Sequence, residues 1–291
     1  MPRTRWPKAR RLDVRRLAWA IRDISGVNLR VQGPCPAGQV GAAYVGWPDG
    51  HRSVLTWRPG ISLDDLRGGP LAVIEALRAA GYPAPQAELT VQAGDDAAIV
   101  WELLPGGPIT SFTGTLLGQS LALNELQAGR LAGRDDVPAI RTYLTGDGPG
   151  YCLHRPLREH SARTRRLERW IAAVGARHPG RLDGRDAVHL DFQPSNLLAE
   201  GGRITGVVDW DGAGRGDRRL DLVTLRFGLH AIRSGPGVTA QLDRLLDGFP
   251  PHVIDPMWAH MSLRMTDWAI RHFSPADVGH WLDLAEQRAE V

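Results

Sequence analysis

The chain has 291 residues, is 43% hydrophobic and 23% charged, and carries a net charge of +3. This is ordinary globular usage, so a sizeable core is expected in one large or two small domains, and disorder is not. The 35 basic residues include a single lysine, Lys8, which excludes any mechanism that needs a lysine deep in the fold. Two cysteines, Cys35 and Cys152, make neither a disulfide framework nor a metal cluster, and a reducing cytoplasm is the expected location. Met1–Trp19 lacks the continuous apolar stretch of a signal peptide, and no apolar run is long enough to span a membrane. Residues 1–16 hold seven basic residues against Asp13 alone, so the rest of the chain is net −3. A short basic arm of this kind reads as a solvated or frayed terminus, not as a nucleic-acid face.

Leu12–Ile24 has helical spacing of apolar residues. Leu29–Val31, Gly41–Gly46 and Arg52–Thr56 read as short strands, the last two joined by the turn Pro48-Asp49-Gly50. Pro70–Ala80 is a helix closed by Gly81. Ala98–Leu103 is an apolar strand stopped by Pro105-Gly106-Gly107-Pro108. Helices follow at Thr115–Gln127 and Glu159–Val174, then a β-insertion of Ala187–Leu190, Leu197–Ala199 and Ile204–Asp209. Leu220–Arg233, Val238–Leu246, Trp258–Phe273 and Pro275–Ala289 complete a helical C-terminal half. Strands cluster early and helices late, so residues 1–104 and 105–291 are the expected domains of an α+β fold.

Val188 to Leu222 carries the chemistry. His189, Asp191 and Asn196 lie within eight residues on a loop that Pro194 keeps from being helical. A hairpin turned by Glu200-Gly201-Gly202 then delivers Asp209 at the end of an apolar strand. Two carboxylates and an amide suit a hard cation: Asn196 and Asp209 are candidate Mg²⁺ ligands. Asp191 is left to orient a hydroxyl and take its proton, a division of labour that belongs to phosphoryl transfer.

His189-x-Asp191-x-x-x-x-Asn196, followed by Asp209 in an apolar strand, resembles the motifs of aminoglycoside phosphotransferases and the wider choline-kinase-like small-molecule kinases. Gly212 to Leu222, Pro83-Ala84-Pro85 and Leu104-Pro105-Gly106 are similar to further segments of that family. The resemblance implies a two-lobed protein kinase-like fold, with a β-rich N-lobe and a mainly helical C-lobe. It implies Asp191 as catalytic base, Asn196 and Asp209 as Mg²⁺ ligands, and His189 with Asp217 and Asp221 as braces of the loop. The backbone around Glu102, Leu103 and Leu104 would be the adenine hinge for ATP or GTP. The clamping lysine of the third strand is missing, and Arg58, then Arg52, are the candidate replacements. Glu75 lies on the helix that would supply its partner, and Gly33 to Gly41 matches no strict Gly-rich loop. These lapses resemble kinases that inactivate tuberactinomycin antibiotics such as viomycin and capreomycin.

The expected acceptor is therefore a hydroxyl on a small cationic molecule, an antibiotic first. Choline, homoserine, an amino sugar or a nucleoside are the metabolic alternatives. Asp211, Asp255, Asp267 and Trp268 are candidate acceptor contacts, with solvated helix charge or packing as the competing reading for each. Two other classes stand beside a kinase. His189 and Asp191 with His230, His252 or His260 would suit a two-His-one-carboxylate iron site. The missing lysine would suit a kinase-shaped module without activity. Neither nucleic acid nor membrane is an expected partner, and the sequence leaves oligomeric state open.

Overall fold

A computed structural model describes residues 11–35 and 41–289. It divides into two compact units, Met1–Pro105 and Gly106–Val291. Residues 1–10 of the basic arm, and most of the Gly33–Gly41 loop, lie outside the described residues. Residues 14–16 of that arm instead begin the first helix.

In the first unit, helix α1 (Val14–Ser25) starts where Asp13 accepts the Arg16 N–H, and it buries Leu17, Ala18 and Ile21. Strands β1 (Arg30–Pro34), β2 (Ala43–Gly46) and β3 (Arg52–Arg58) follow. Helices α2 (Leu63–Gly68) and α3 (Pro70–Arg78) precede β4 (Ala87–Ala93) and β5 (Asp96–Glu102). The strands form one antiparallel sheet in the order β1-β2-β3-β5-β4. Alternation assigns its faces. Leu55 and Trp57 of β3 pack with Val100 against Leu17 and Ile21 of α1. The opposite face carries Ala97 and Ile99 against Leu66 of α2. The sequence reading lacked β4, because this edge strand buries only Val91 and alternates weakly.

The second unit opens with β6 (Gly107–Pro108), β7 (Ser111–Phe112) and α4 (Gly114–Leu126), capped by Thr113. The single helix expected over Glu159–Val174 is two, α5 (His154–His160) and α6 (Ala162–Gly175). Ser161 is fully extended between them and forms a capping box with Thr164, which starts a new helix at that point. Strand β8 (Asp186–Val188), a 3-10 turn (Pro194–Asn196), the β9 (Leu197–Glu200) and β10 (Arg203–Val207) hairpin and β11 (Gly214–Gly216) make the β-insertion. Strand β11 pairs with β8, and β6 extends the hairpin along β9.

Helices α7 (Arg219–Leu229), α8 (Val238–Asp247), α9 (Pro251–His272) and α10 (Pro275–Ala285) complete the unit, and β12 (Arg233–Ser234) joins β7. Helix α9 runs 22 residues and begins before the expected Trp258, with Pro256 inside it. It packs against α5, α6, α7 and α10, which explains why its apolar residues lie on several sides. Among the described residues no helix is long and apolar enough to cross a membrane. The whole is a mixed α+β structure, with a β-rich first unit and a mainly helical second one.

Candidate active site

The loop between β8 and β9 is built from the inside outward. His189 is fully buried, and Asp221 beneath it is too. Asp221 Oδ2 accepts the His189 N–H at 2.8 Å and Gln127 Nε2 at 2.7 Å, while Oδ1 accepts the Leu190 N–H at 2.9 Å. Burial pushes the Asp221 pKa up to about 7, against the pull of those three donors. His189 Nδ1 accepts the Asp191 N–H at 3.2 Å, so Nε2 carries the proton and donates to Val208 O at 3.0 Å. That is a neutral ring, and burial holds its pKa down to about 4. The Trp210 ring covers it at 4.3 Å between centroids.

The expected strands stop short of the chemistry. Strand β8 ends at Val188 and β10 at Val207, not at Leu190 and Asp209. Leu190 and Asp209 each have φ of 69°, and among the described residues they are the two non-glycines with positive φ. Such conformations persist only where the surroundings enforce them, and they concentrate at functional sites. The clamp of Asp221 on the His189 and Leu190 amides supplies that enforcement at the first position.

Asp191 and Asn196 are joined directly. Asn196 Nδ2 donates to Asp191 O at 2.9 Å and to Asp191 Oδ2 at 2.8 Å. Both amide hydrogens are spent, which fixes the side chain and leaves Oδ1 as its remaining acceptor. Gln193 Nε2 adds a donor to Asp191 Oδ2 at 3.1 Å, and Arg264 Nη2 of α9 donates to Oδ1 at 3.0 Å. The Val208 N–H donates to Asn196 O at 2.9 Å, which holds exposed Asp209 at the same end of the hairpin. An amide oxygen and a carboxylate are hard ligands of the kind Mg²⁺ takes alongside nucleotide phosphates. Among the described residues no three His, Cys, Asp or Glu side chains form a self-sufficient metal cage. The chemistry of an amide oxygen beside a carboxylate fits a metal whose remaining ligands come from phosphate and water.

The loop also needs Gly228 of α7. A Cβ there would lie 2.6 Å from Pro194 Cδ and 2.8 Å from Gln193 Cβ.

Other expected residues have different surroundings. Asp217 does not brace the loop: it pairs with Arg219 through 2.9 and 3.0 Å bonds and accepts the Arg219 N–H at the start of α7. Asp267 is fully buried, and its Oδ2 takes the Leu153 N–H at 2.9 Å and Arg271 Nη2 at 2.8 Å, tying α9 to the start of α5. Trp268 is half-buried against Phe273 and Trp281. Asp211 is exposed and Asp255 half-buried. On β3, Arg58 pairs across the sheet with Ala97, and Nη1 donates to Trp57 O at 2.8 Å. Arg52 Nε donates to Gln32 Oε1 at 2.9 Å, and Glu75 is exposed on α3. The Glu102 N–H is taken by Gln86 O at 2.9 Å and its carboxylate by Arg78 at 3.0 Å, so that amide is not an open hinge donor; Leu104 is half-buried beyond the strand. The iron-site alternative fails on His189, since both ring nitrogens are engaged in the interior.

Gln127, Arg264 and Gly228 were missed by sequence reasoning. Gln127 closes an apolar helix, and the one signal in the sequence was an amide at the end of that apolar run; its full burial is a finding of the structure.

A family model described as the phosphotransferase enzyme family matches residues 44–256. Solved structures share the fold. Amicoumacin kinase hAmiN, in complex with AMP-PNP, Ca²⁺ and Ami, is 12% identical at a TM-score of 0.64, covering 96% of this chain and 95% of that one. A thermostable mutant of aminoglycoside phosphotransferase APH(4)-Ia, in a ternary complex with ADP and hygromycin B, is 15% identical at 0.61, covering 92% and 95%. A fructosamine-3-kinase assigned as putative, from Thermobifida fusca YX-ER1, is 16% identical at 0.57, covering 94% and 98%. No curated protein sequence matches the chain.

Proposed function

The chain belongs to the phosphotransferase enzyme family, and on that premise we propose that it moves the γ-phosphoryl group of ATP or GTP to a hydroxyl of a small, polar, cationic molecule. The acceptor class is an antibiotic, an aminoglycoside or tuberactinomycin peptide, and the role is resistance in the cytoplasm. The single observation that carries the reading is the Asp191–Asn196 pair, locked by two hydrogen bonds from one amide nitrogen beside an Asp209 held at positive φ.

In this reading Asp191 orients the acceptor hydroxyl and receives its proton. The acceptor oxygen bonds to the γ-phosphorus as the bond to the bridging oxygen breaks, and the nucleoside diphosphate leaves with that electron pair. Asn196 and Asp209 would hold Mg²⁺, which when bound neutralises charge on the phosphates. His189 is a positioning residue that spaces the loop from Val208. Arg58 is the proposed phosphate contact of the first unit, and the Leu104 backbone amide is the proposed hinge donor. Asp211 and Asp255 remain proposed acceptor contacts; Asp267 serves the acceptor only by holding α9.

The test is a nucleotide-consumption screen across cationic antibiotics and metabolic alcohols, with Asp191→Ala as control. Turnover with an aminoglycoside or tuberactinomycin, absent in the control, supports the reading. Turnover confined to choline, homoserine, an amino sugar or a nucleoside replaces the acceptor class. Binding of Mg·ATP without turnover of any of them would make the chain an inactive module. Arg58→Ala is expected to raise the nucleotide KM several-fold, and an unchanged KM would move the clamp to another residue.

A further inference from the structure

Arg264 stands 73 residues along the chain from Asp191 and belongs to no motif around the loop. Its two arms grip consecutive residues. Nη1 donates to Leu190 O at 2.8 Å and Nη2 to Asp191 Oδ1 at 3.0 Å. The first contact is on the residue with φ of 69°, the second on the carboxylate that acts as base. Asp191 Oδ2 already takes two amide donors, from Asn196 and Gln193, whereas Oδ1 takes the guanidinium. The pair is about a quarter exposed on each side, 23% for Arg264 and 24% for Asp191. An ion pair that solvent reaches contributes little to stability, so folding alone does not account for the guanidinium at this place.

The helix that carries Arg264 is itself fixed. One turn further on, buried Asp267 binds the Leu153 N–H and Arg271. Two turns back, Trp258 Nε1 donates to Ala285 O at 3.0 Å. The backbone under Arg264 is thus anchored to α5 and α10.

We propose that Arg264 is the positioning residue of the phosphotransfer base: its planar fork sets the Leu190–Asp191 peptide and presents Asp191 Oδ1 to the acceptor hydroxyl. This rests on Asp191 being the base. The acceptor proton goes to Oδ1 as the acceptor oxygen bonds to the γ-phosphorus and the nucleoside diphosphate departs. A guanidinium meets two acceptors in one plane, and an ammonium, as a point charge, does not hold both in that geometry.

The experiment follows Mg·ATP turnover with water as the acceptor, and Mg·ADP binding, in Arg264→Met, Arg264→Lys and Arg264→Ala. Displacing a reacting group by about 1 Å costs on the order of a hundredfold. Arg264→Met is expected to lose kcat by about that factor, with the ATP KM and Mg·ADP affinity within about twofold of wild type. Arg264→Lys is expected to recover part of the loss. It also carries the test if the Met variant fails to fold. Added guanidinium ion is expected to raise turnover of Arg264→Ala and to leave wild type unchanged. A kcat for Arg264→Met within about threefold of wild type, a loss confined to KM, or no response to guanidinium would overturn the proposal. Hydrolysis that Asp191→Ala retains in full would fail the phosphotransfer reading itself; where wild type hydrolyses no ATP, the same comparisons are made with the acceptor that the nucleotide-consumption screen returns.

Discussion

Asp221 Oδ2 accepts the backbone N–H of His189 at 2.8 Å, although 32 residues separate them in the chain. With the Leu190 N–H on its other oxygen, this carboxylate sets the backbone entry to the loop that carries Asp191. Asp191 is thus positioned from below by α7, through backbone contacts that involve no side chain of the loop.

Replacing Asp221 by Asn therefore tests the foundation of the site. Three N–H groups point at two carboxylate oxygens, and an amide supplies one oxygen only. At least one buried N–H loses its acceptor, at a cost of about 1–3 kcal/mol. Denaturant unfolding should show that loss together with reduced turnover; a variant as stable and as active as wild type would remove Asp221 from the account.

Gly228 makes a separate prediction. The approach of Pro194 and Gln193 leaves no space for a methyl group, so Gly228→Ala must push the loop off α7. Overpacking of this kind costs about 1–3 kcal/mol. Thermal unfolding should report the destabilisation, and turnover should fall further than the change in stability explains, because the displaced residues flank Asn196. Full activity in the variant would mean that the loop tolerates the shift.

Stability should fall on the acid side through His189. Its folded pKa is held down to about 4 against an ordinary 6.5, so the unfolded chain protonates first as pH falls. The contribution is fully present above pH 6.5 and is lost progressively down to about pH 4, amounting to about 3 kcal/mol. Buried His260, held down to about 3, acts with the same sign. Asp221 acts oppositely: its raised pKa, about 7, favours the folded state below the ordinary carboxylate range, and that contribution is lost as pH rises. The two trends offset in wild type, so the measurement is the difference from His189→Gln. The stability gap between the two proteins should shrink by about 3 kcal/mol between pH 7 and pH 4. A gap independent of pH would contradict a neutral buried His189.

Much of the site was legible because its chemistry is local in sequence. His189, Asp191 and Asn196 share one loop, and Asp209 follows on the next hairpin, so spacing alone brought them together. The fold class was legible for a similar reason, since strands cluster before the Pro105 stretch and helices after it. Supports that come from distant helices left no such trace. Arg264 is one of the many arginines of the chain and sits on a helix buried on several sides, and Gly228 is a helix glycine whose reason is a loop some 35 residues earlier. The break at Ser161 was written in Ser161-x-x-Thr164, but continuous helical periodicity over Glu159–Val174 outweighed it. Acceptor contacts were the least legible, because a carboxylate on a helix has the same signature whether it meets a ligand or, like Asp267, a backbone amide and an arginine.

The most direct test of the central claim is phosphoryl transfer by Asp191→Ala, measured beside Mg·ADP affinity in the same protein. A positioned general base contributes about 10²–10⁴-fold. The account predicts a loss of transfer in that range with Mg·ADP binding within about twofold of wild type, since Asn196 keeps its bond to the backbone carbonyl of residue 191 and Asp209 keeps its place on the hairpin. Transfer by Asp191→Ala at close to the wild-type rate would contradict it.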